Sequence, residues 1–129
     1  AKGVNRDADP ADFTRGETEF AEKVRLLLVN FLGAPFAQAP DPYRRGSPIT
    51  YASWDDPPVL LVHGDRAPIV PFAQSERMHA RLVELGVPVE FVRVRNGGHG
   101  MNPVDAKTTD PAFPEILQRT IAFLEQRLK

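Results

Sequence analysis

Two short stretches hold the residue types that could do chemistry: His63-Gly64-Asp65 at the end of an apolar run, and Gly97-Gly98-His99-Gly100 after a second one. A histidine on a glycine-flanked loop can approach a substrate closely. Its imidazole also changes charge near neutral pH, so His99 is the candidate general base. The bland alternative for His99 is a solvated loop residue. His63 is different, because it ends an apolar run ahead of a glycine turn, where a structural hydrogen bond to nearby backbone is the simpler reading. His79 is expected to be an exposed helix residue. The three histidines and Asp65 match no metal-ligand spacing such as His-Glu-x-x-His, so no metal and no cofactor are expected. A serine nucleophile would need Gly-x-Ser-x-Gly between a strand and a helix, and the sequence has none. Ser47, Ser53 and Ser75 read as turn or cap residues.

The elements that must position these loops follow from hydrophobic spacing. Thr14 and Glu17 have the spacing of a capping box. Phe20, Val24, Leu27, Leu28 and Phe31 then recur at helical intervals until Gly33 and Pro35. Residues 34–57 read as a proline-rich connection, irregular throughout, with Tyr43, Ile49, Tyr51 and Trp54 apolar enough to lie against a core. Val59 to His63 has no polar alternation, which suits a strand of a parallel sheet covered on both faces. Phe72 to Leu85 reads as a helix ended by Gly86 and Pro88, with Met78, Leu82 and Leu85 on one face. Val89 to Val94 reads as a second strand, which makes one βαβ unit. Residues 96–109 form a loop, and Asp110-Pro111 or Phe113-Pro114 opens a last helix striped by Ile116, Leu117, Thr120, Ile121, Leu124 and Leu128. In such sheets reactive residues sit beyond the carboxyl ends of the strands. The loops after His63 and after Val94 should therefore face each other across one rim.

Composition narrows the class. The chain has 129 residues, 42% hydrophobic and 26% charged, with net charge −1 and no cysteine. That length suits a single domain over 1–129. No basic excess exists to neutralise phosphates, which argues against nucleic-acid binding. No apolar run is long enough to span a membrane, which argues against membrane insertion. A soluble protein is expected, and the cysteine-free composition suits a cytoplasmic setting without identifying the compartment. The chain opens Ala1-Lys2-Gly3 without Met, compatible with processing, excision of a domain or a truncated frame.

A co-linear set then resembles a known family: Ser47-Pro48-Ile49-Thr50-Tyr51, Asp55 through Asp65, Pro68-Ile69-Val70-Pro71, Gly86 through Phe91, and Gly97-Gly98-His99-Gly100. Together they resemble the C-terminal portion of an α/β-hydrolase of the esterase and lipase branch, bordering prolyl-oligopeptidase-like peptidases and feruloyl-esterase-like enzymes. The resemblance runs from about residue 12 to 128. It implies an α/β class with a partial α/β-hydrolase fold: the last two parallel strands with flanking helices. It also implies a Ser, Asp, His triad in that chain order, with His99 as the catalytic histidine and the serine elbow in an N-terminal portion not contained here. The family pattern His-Gly-x-x-Asp-x-x-Val-Pro places its acid at the fifth residue, where this chain has Ala67. Alanine cannot accept the imidazole N–H. Asp65 stands two residues early and is expected to bond backbone N–H groups within its turn.

Three readings follow. The first is a fragment of a serine hydrolase acting on ester or amide bonds, inactive alone, whose complete parent takes a small-molecule ester or peptide substrate. The second is a non-catalytic hydrolase-like module kept for binding or assembly, motivated by Ala67. The third is an unrelated small βαβ domain. Two strands make a poor sheet, so the isolated chain is expected to be unstable, aggregation-prone or homo-oligomeric through its open sheet edge.

Overall fold

A computed structural model describes residues 19–128, apart from the side chains of residues 19–21. The expected capping box at Thr14–Glu17, and the place of Phe20 on its helix face, lie outside the described residues. Helix α1 spans Glu19–Leu32, α2 spans Pro40–Gly46, and a 3-10 turn covers Pro48–Thr50. Strand β1 (Val59–Gly64), helix α3 (Ala73–Glu84) and strand β2 (Val89–Val94) form the expected βαβ unit, and α4 (Phe113–Arg127) follows.

The strands pair in parallel, in a register running from Val59 opposite Val89 to Gly64 opposite Val94. Alternate residues point to opposite faces. Leu60, Val62, Val92 and Val94 face α4, where Ile116 and Met101 complete the core. On the other face Phe91 stacks on Phe72, just before α3, with ring centroids 5.3 Å apart. His79 of α3 lies 5.5 Å from the same Phe91 ring. His79 is thus half-buried rather than exposed as its position suggested, because its neighbour is an aromatic ring supplied by β2.

The turn from α3 into β2 explains why the crossover is tight. Gly86 has φ 76. Its N–H donates to Val83 at 3.0 Å, and the Val87 N–H donates to Leu82 at 3.0 Å. This is the Schellman pattern, which needs a left-handed residue after the helix. The buried Leu82 and Val87 flank the turn as its expected apolar pair.

The connection 34–57 departs from the irregular reading, because it contains α2 and the 3-10 turn. Each has a proline at its first or second position, where the missing N–H costs no internal bond. Prolines that break regular structure in mid-element open it here. Tyr43 packs edge-on to Phe36 at 5.6 Å, and its hydroxyl donates to the Ala34 carbonyl at 3.0 Å. Trp54, in contrast, is 78% exposed, and Tyr51 is also exposed; no described residue supplies a surface to cover them.

The expected double cover of β1 is also incomplete. Val59, Leu60, Leu61 and Val62 are half-buried, and only His63 and Gly64 are buried. The sheet has two strands, so one edge of β1 is unpaired among the described residues. Phe31 on α1 is 85% exposed. The core is therefore small, and Val94, with no exposed surface, lies at its centre. Val94→Ala removes two buried methyl groups at about 0.8 kcal/mol each, with a cavity cost added. A loss of about 2 kcal/mol in urea unfolding is the expected result, with helix content at low denaturant unchanged.

Candidate functional site

Because the strands run parallel, the loops after Gly64 and after Val94 leave the same end of the sheet, as the spacing predicts. The two backbones touch there. A Cβ placed on Gly64 would lie 2.3 Å from the Gly97 carbonyl oxygen and 2.4 Å from that of Gly98. A Cβ on Gly97 would lie 3.0 Å from the Gly64 Cα. Hydrogen bonds stitch the contact: the Asp65 N–H donates to Val94 at 3.0 Å, and the Arg66 N–H donates to Gly97 at 3.0 Å.

His99 stands just beyond this contact, between Gly98 and Gly100. A turn presents it: the Gly98 N–H donates to Asn102 at 2.8 Å and the Met101 N–H donates to Gly98 at 3.1 Å. The imidazole is exposed and has no hydrogen-bond partner among the described residues. A free ring at a shared rim can accept a proton from a hydroxyl brought to it.

Position 67 offers this ring nothing. The Ala67 N–H donates to the Gly64 carbonyl at 3.1 Å, which closes the turn, and the methyl group has no acceptor. Asp65 is engaged across the rim rather than within its own turn as expected, because the parallel register brings the end of β2 beside it. Its Oδ1 accepts the Asn96 backbone N–H at 2.9 Å, and its Oδ2 accepts Arg93 Nε at 3.0 Å. The carboxylate brackets the ends of the two strands.

His63 is buried and doubly bonded. Its Nε2 lies 3.0 Å from the Val70 carbonyl oxygen, which can only accept, so Nε2 carries the proton. In the neutral ring Nδ1 then accepts from Ser75 Oγ, 2.6 Å away. This consumes Ser75, as well as both nitrogens of His63. Ser53 Oγ pairs with Asp56 at 3.3 Å. No described serine is bonded to His99. Among the described residues no three His, Asp or Glu side chains could hold a metal, and no helix is long and apolar enough to cross a membrane.

The sequence reading missed a polar network around Asn96. The Asn96-Gly97 pair is a turn signal, and Asn tolerates the left-handed backbone found there, φ 57. Nothing local, however, announces its partners Arg66 and Asp105. Asp105 accepts from the Lys107 N–H, from Asn96 and from Arg66. The backbone bond from Lys107, then the Asn96 and Arg66 side chains, hold its carboxyl below the ordinary value of 3.8. A carboxyl with a lowered native pKa stabilises the fold fully above its unfolded value. That contribution is lost as pH falls through the lower native value. Loop 96–108 should therefore loosen only on acidification below about pH 4, and Asp105→Asn should abolish that acid transition in amide exchange of the loop.

The family model described as BD-FAE matches residues 3–82, more than half of the chain. Esterase LipQ of Mycobacterium tuberculosis (strain ATCC 25618 / H37Rv) is 28% identical over 88 residues, 64% of this chain and 21% of LipQ. Esterase LipC of the same strain is 30% identical over 98 residues, 71% of this chain and 24% of LipC. A solved structure titled "Truncated form of carbohydrate esterase from gut microbiota" aligns with TM-score 0.48 and 36% identity, covering 50% of this chain and 22% of that one. The matched segments thus span less than a quarter of the length of either curated relative. A parallel βαβ unit with helices on both faces, matched to esterases along most of its length, is a partial α/β-hydrolase fold, and the chain belongs to the BD-FAE family.

Proposed function

We propose that this chain supplies the general base, His99, of a hydrolase of ester bonds whose serine nucleophile lies on polypeptide outside these 129 residues. The observation that carries the reading is the free imidazole on a glycine loop, held against the turn after β1 by the Gly64–Gly97 contact. Family membership and two relatives named as esterases support it. The chemistry would be acyl transfer. His99 accepts the serine proton as oxygen attacks the ester carbonyl, then returns it to the departing alcohol. With no Gly-x-Ser-x-Gly in the sequence, the chain by itself hydrolyses nothing. On the same reading the unpaired edge of β1 is where a further strand of a hydrolase sheet pairs.

One observation favours a second reading. Ala67 leaves the imidazole without an orienting carboxylate, as expected of a hydrolase-like module kept for binding or assembly. The test joins this chain to the serine-bearing segment of an esterase relative. His99→Ala should then lower kcat/KM for a p-nitrophenyl ester at least a hundredfold, of the order expected for losing general-base catalysis. Unchanged hydrolysis overturns the general-base reading, and turnover of a peptide anilide in place of the ester moves the assignment to amide bonds.

A further inference from the structure

We propose that Arg66, Asn96 and Asp105 form a clamp that closes the neck of the loop bearing His99, with Arg66 as a positioning residue for that imidazole. The role assigned to the imidazole rests on the function proposed above; the clamp itself does not.

Asn96 is the hub. Its backbone N–H donates to Asp65, and its carbonyl accepts the Val104 N–H at 3.1 Å. Its side-chain Oδ1 accepts Arg66 Nη1 at 3.1 Å. Its Nδ2 donates to Asp105 Oδ1 at 2.9 Å and to the Lys107 carbonyl at 3.1 Å. Arg66 Nη1 also donates to Asp105 Oδ2 at 2.9 Å. One guanidinium, reaching over from the turn after β1, therefore holds both ends of the segment from Asn96 to Asp105. His99 sits inside that segment.

Apolar packing cannot hold this loop alone. Val104 is half exposed, residues 102 to 108 are all exposed, and only Met101 reaches the core. An isolated exposed ion pair contributes little. Here, though, each partner is oriented by the next, and such networks are worth more than their separate pairs. Segments with few buried apolar contacts open locally, at a cost far below global unfolding. Without the clamp the neck keeps its backbone bonds, Asn96 with Val104 and Arg95 with Asp110. It loses the guanidinium that ties both its ends to the turn after β1, and the segment carrying His99 opens more readily from the rim.

The clamp is tested on the full 129-residue chain by hydrogen exchange with mass spectrometry, using Arg66→Ala, Arg66→Lys and the isosteric Asp105→Asn. Exchange across residues 96–108 should quicken about tenfold in Arg66→Ala and in Asp105→Asn. The double variant should be no faster than either single one, and peptides from β2 and α3 should be unchanged. Arg66→Lys should recover part of the protection, since lysine supplies the charge but not the fork. The second readout is the imidazole proton resonance of His99, assigned by its loss in His99→Ala. In Arg66→Ala it should move to the position of an unstructured histidine, while those of His63 and His79 stay. Unchanged loop exchange in both single variants, or loosening of loop and β2 together, overturns the clamp. A loosened loop with an unmoved His99 resonance overturns the positioning role. Failure of the esterase reading shows separately, as hydrolysis indifferent to His99→Ala.

Discussion

Gly64→Ala should cost more stability than any other single methyl added to this chain. Gly64 closes β1 in extended backbone, where alanine is normally at least as good a residue as glycine. Local propensity thus forecasts a neutral or slightly stabilising change. The tertiary contact forecasts the opposite. The new methyl would meet the Gly97 oxygen at 2.3 Å, the Gly98 oxygen at 2.4 Å and the Gly97 carbonyl carbon at 2.5 Å. These are backbone atoms with no rotamer to turn away, and the Gly98 N–H is itself bonded to Asn102. Ordinary overpacking costs about 1–3 kcal/mol. A clash against three fixed atoms should exceed that and reach about 4 kcal/mol, a large share of the 5–15 kcal/mol typical of a whole domain. At a urea slope of about 2 kcal/mol/M the midpoint falls by roughly 2 M. Gly46→Ala is the control, since its methyl would meet only Leu32 Cδ2, at 3.8 Å. Equal midpoints for Gly64→Ala and the unaltered chain would show that the two loops do not touch.

Ala67→Asp should produce the largest gain in catalysis. In the joined hydrolase it places a carboxylate at the family's acid position, on a turn closed by the Ala67 to Gly64 bond. That turn is hydrogen-bonded to the very loop that carries His99. An acid there accepts the imidazole N–H, fixes the tautomer and stabilises the imidazolium formed during attack. Disabling that acid in a serine protease lowers turnover about 10⁴-fold, and restoring it here should raise kcat by up to about that factor, with KM little altered. No rise would count for the binding-module reading, or for an acid drawn from elsewhere in the parent protein. Asp65 is a poor substitute, because removing it to serve the imidazole would break its bonds to Asn96 and Arg93.

The two parallel strands, the helix between them and the last helix were legible because their signals are local. The apolar run 59–62, the Gly86 stop and the helical spacing of α4 each depend on residues within a few turns or strand steps of one another. The covered face of α4 differs from the expected stripe: only Ile116 of that stripe is buried, while Leu117, Ile121, Leu124 and Leu128 are exposed and Phe123 is buried instead. The structural role of His63 was legible for the same reason, since Val70 and Ser75 lie close behind it in the chain. Burial was not. Trp54 and Tyr51 have the composition of core residues, but side-chain apolarity states a preference and supplies no partner surface. His79 erred the other way, because the ring that covers it belongs to β2.

At the site, the residue types and their order along the chain determined that His99 is the candidate base, that position 67 lacks an acid, and that no serine elbow is present. Only the tertiary structure decided that Gly64 and Gly97 meet, and that Arg66 reaches Asn96 and Asp105 across 30 and 39 positions. Periodicity and turn chemistry act over a few residues of chain. Contacts of this range depend on how the strands register in space, which no local spacing encodes.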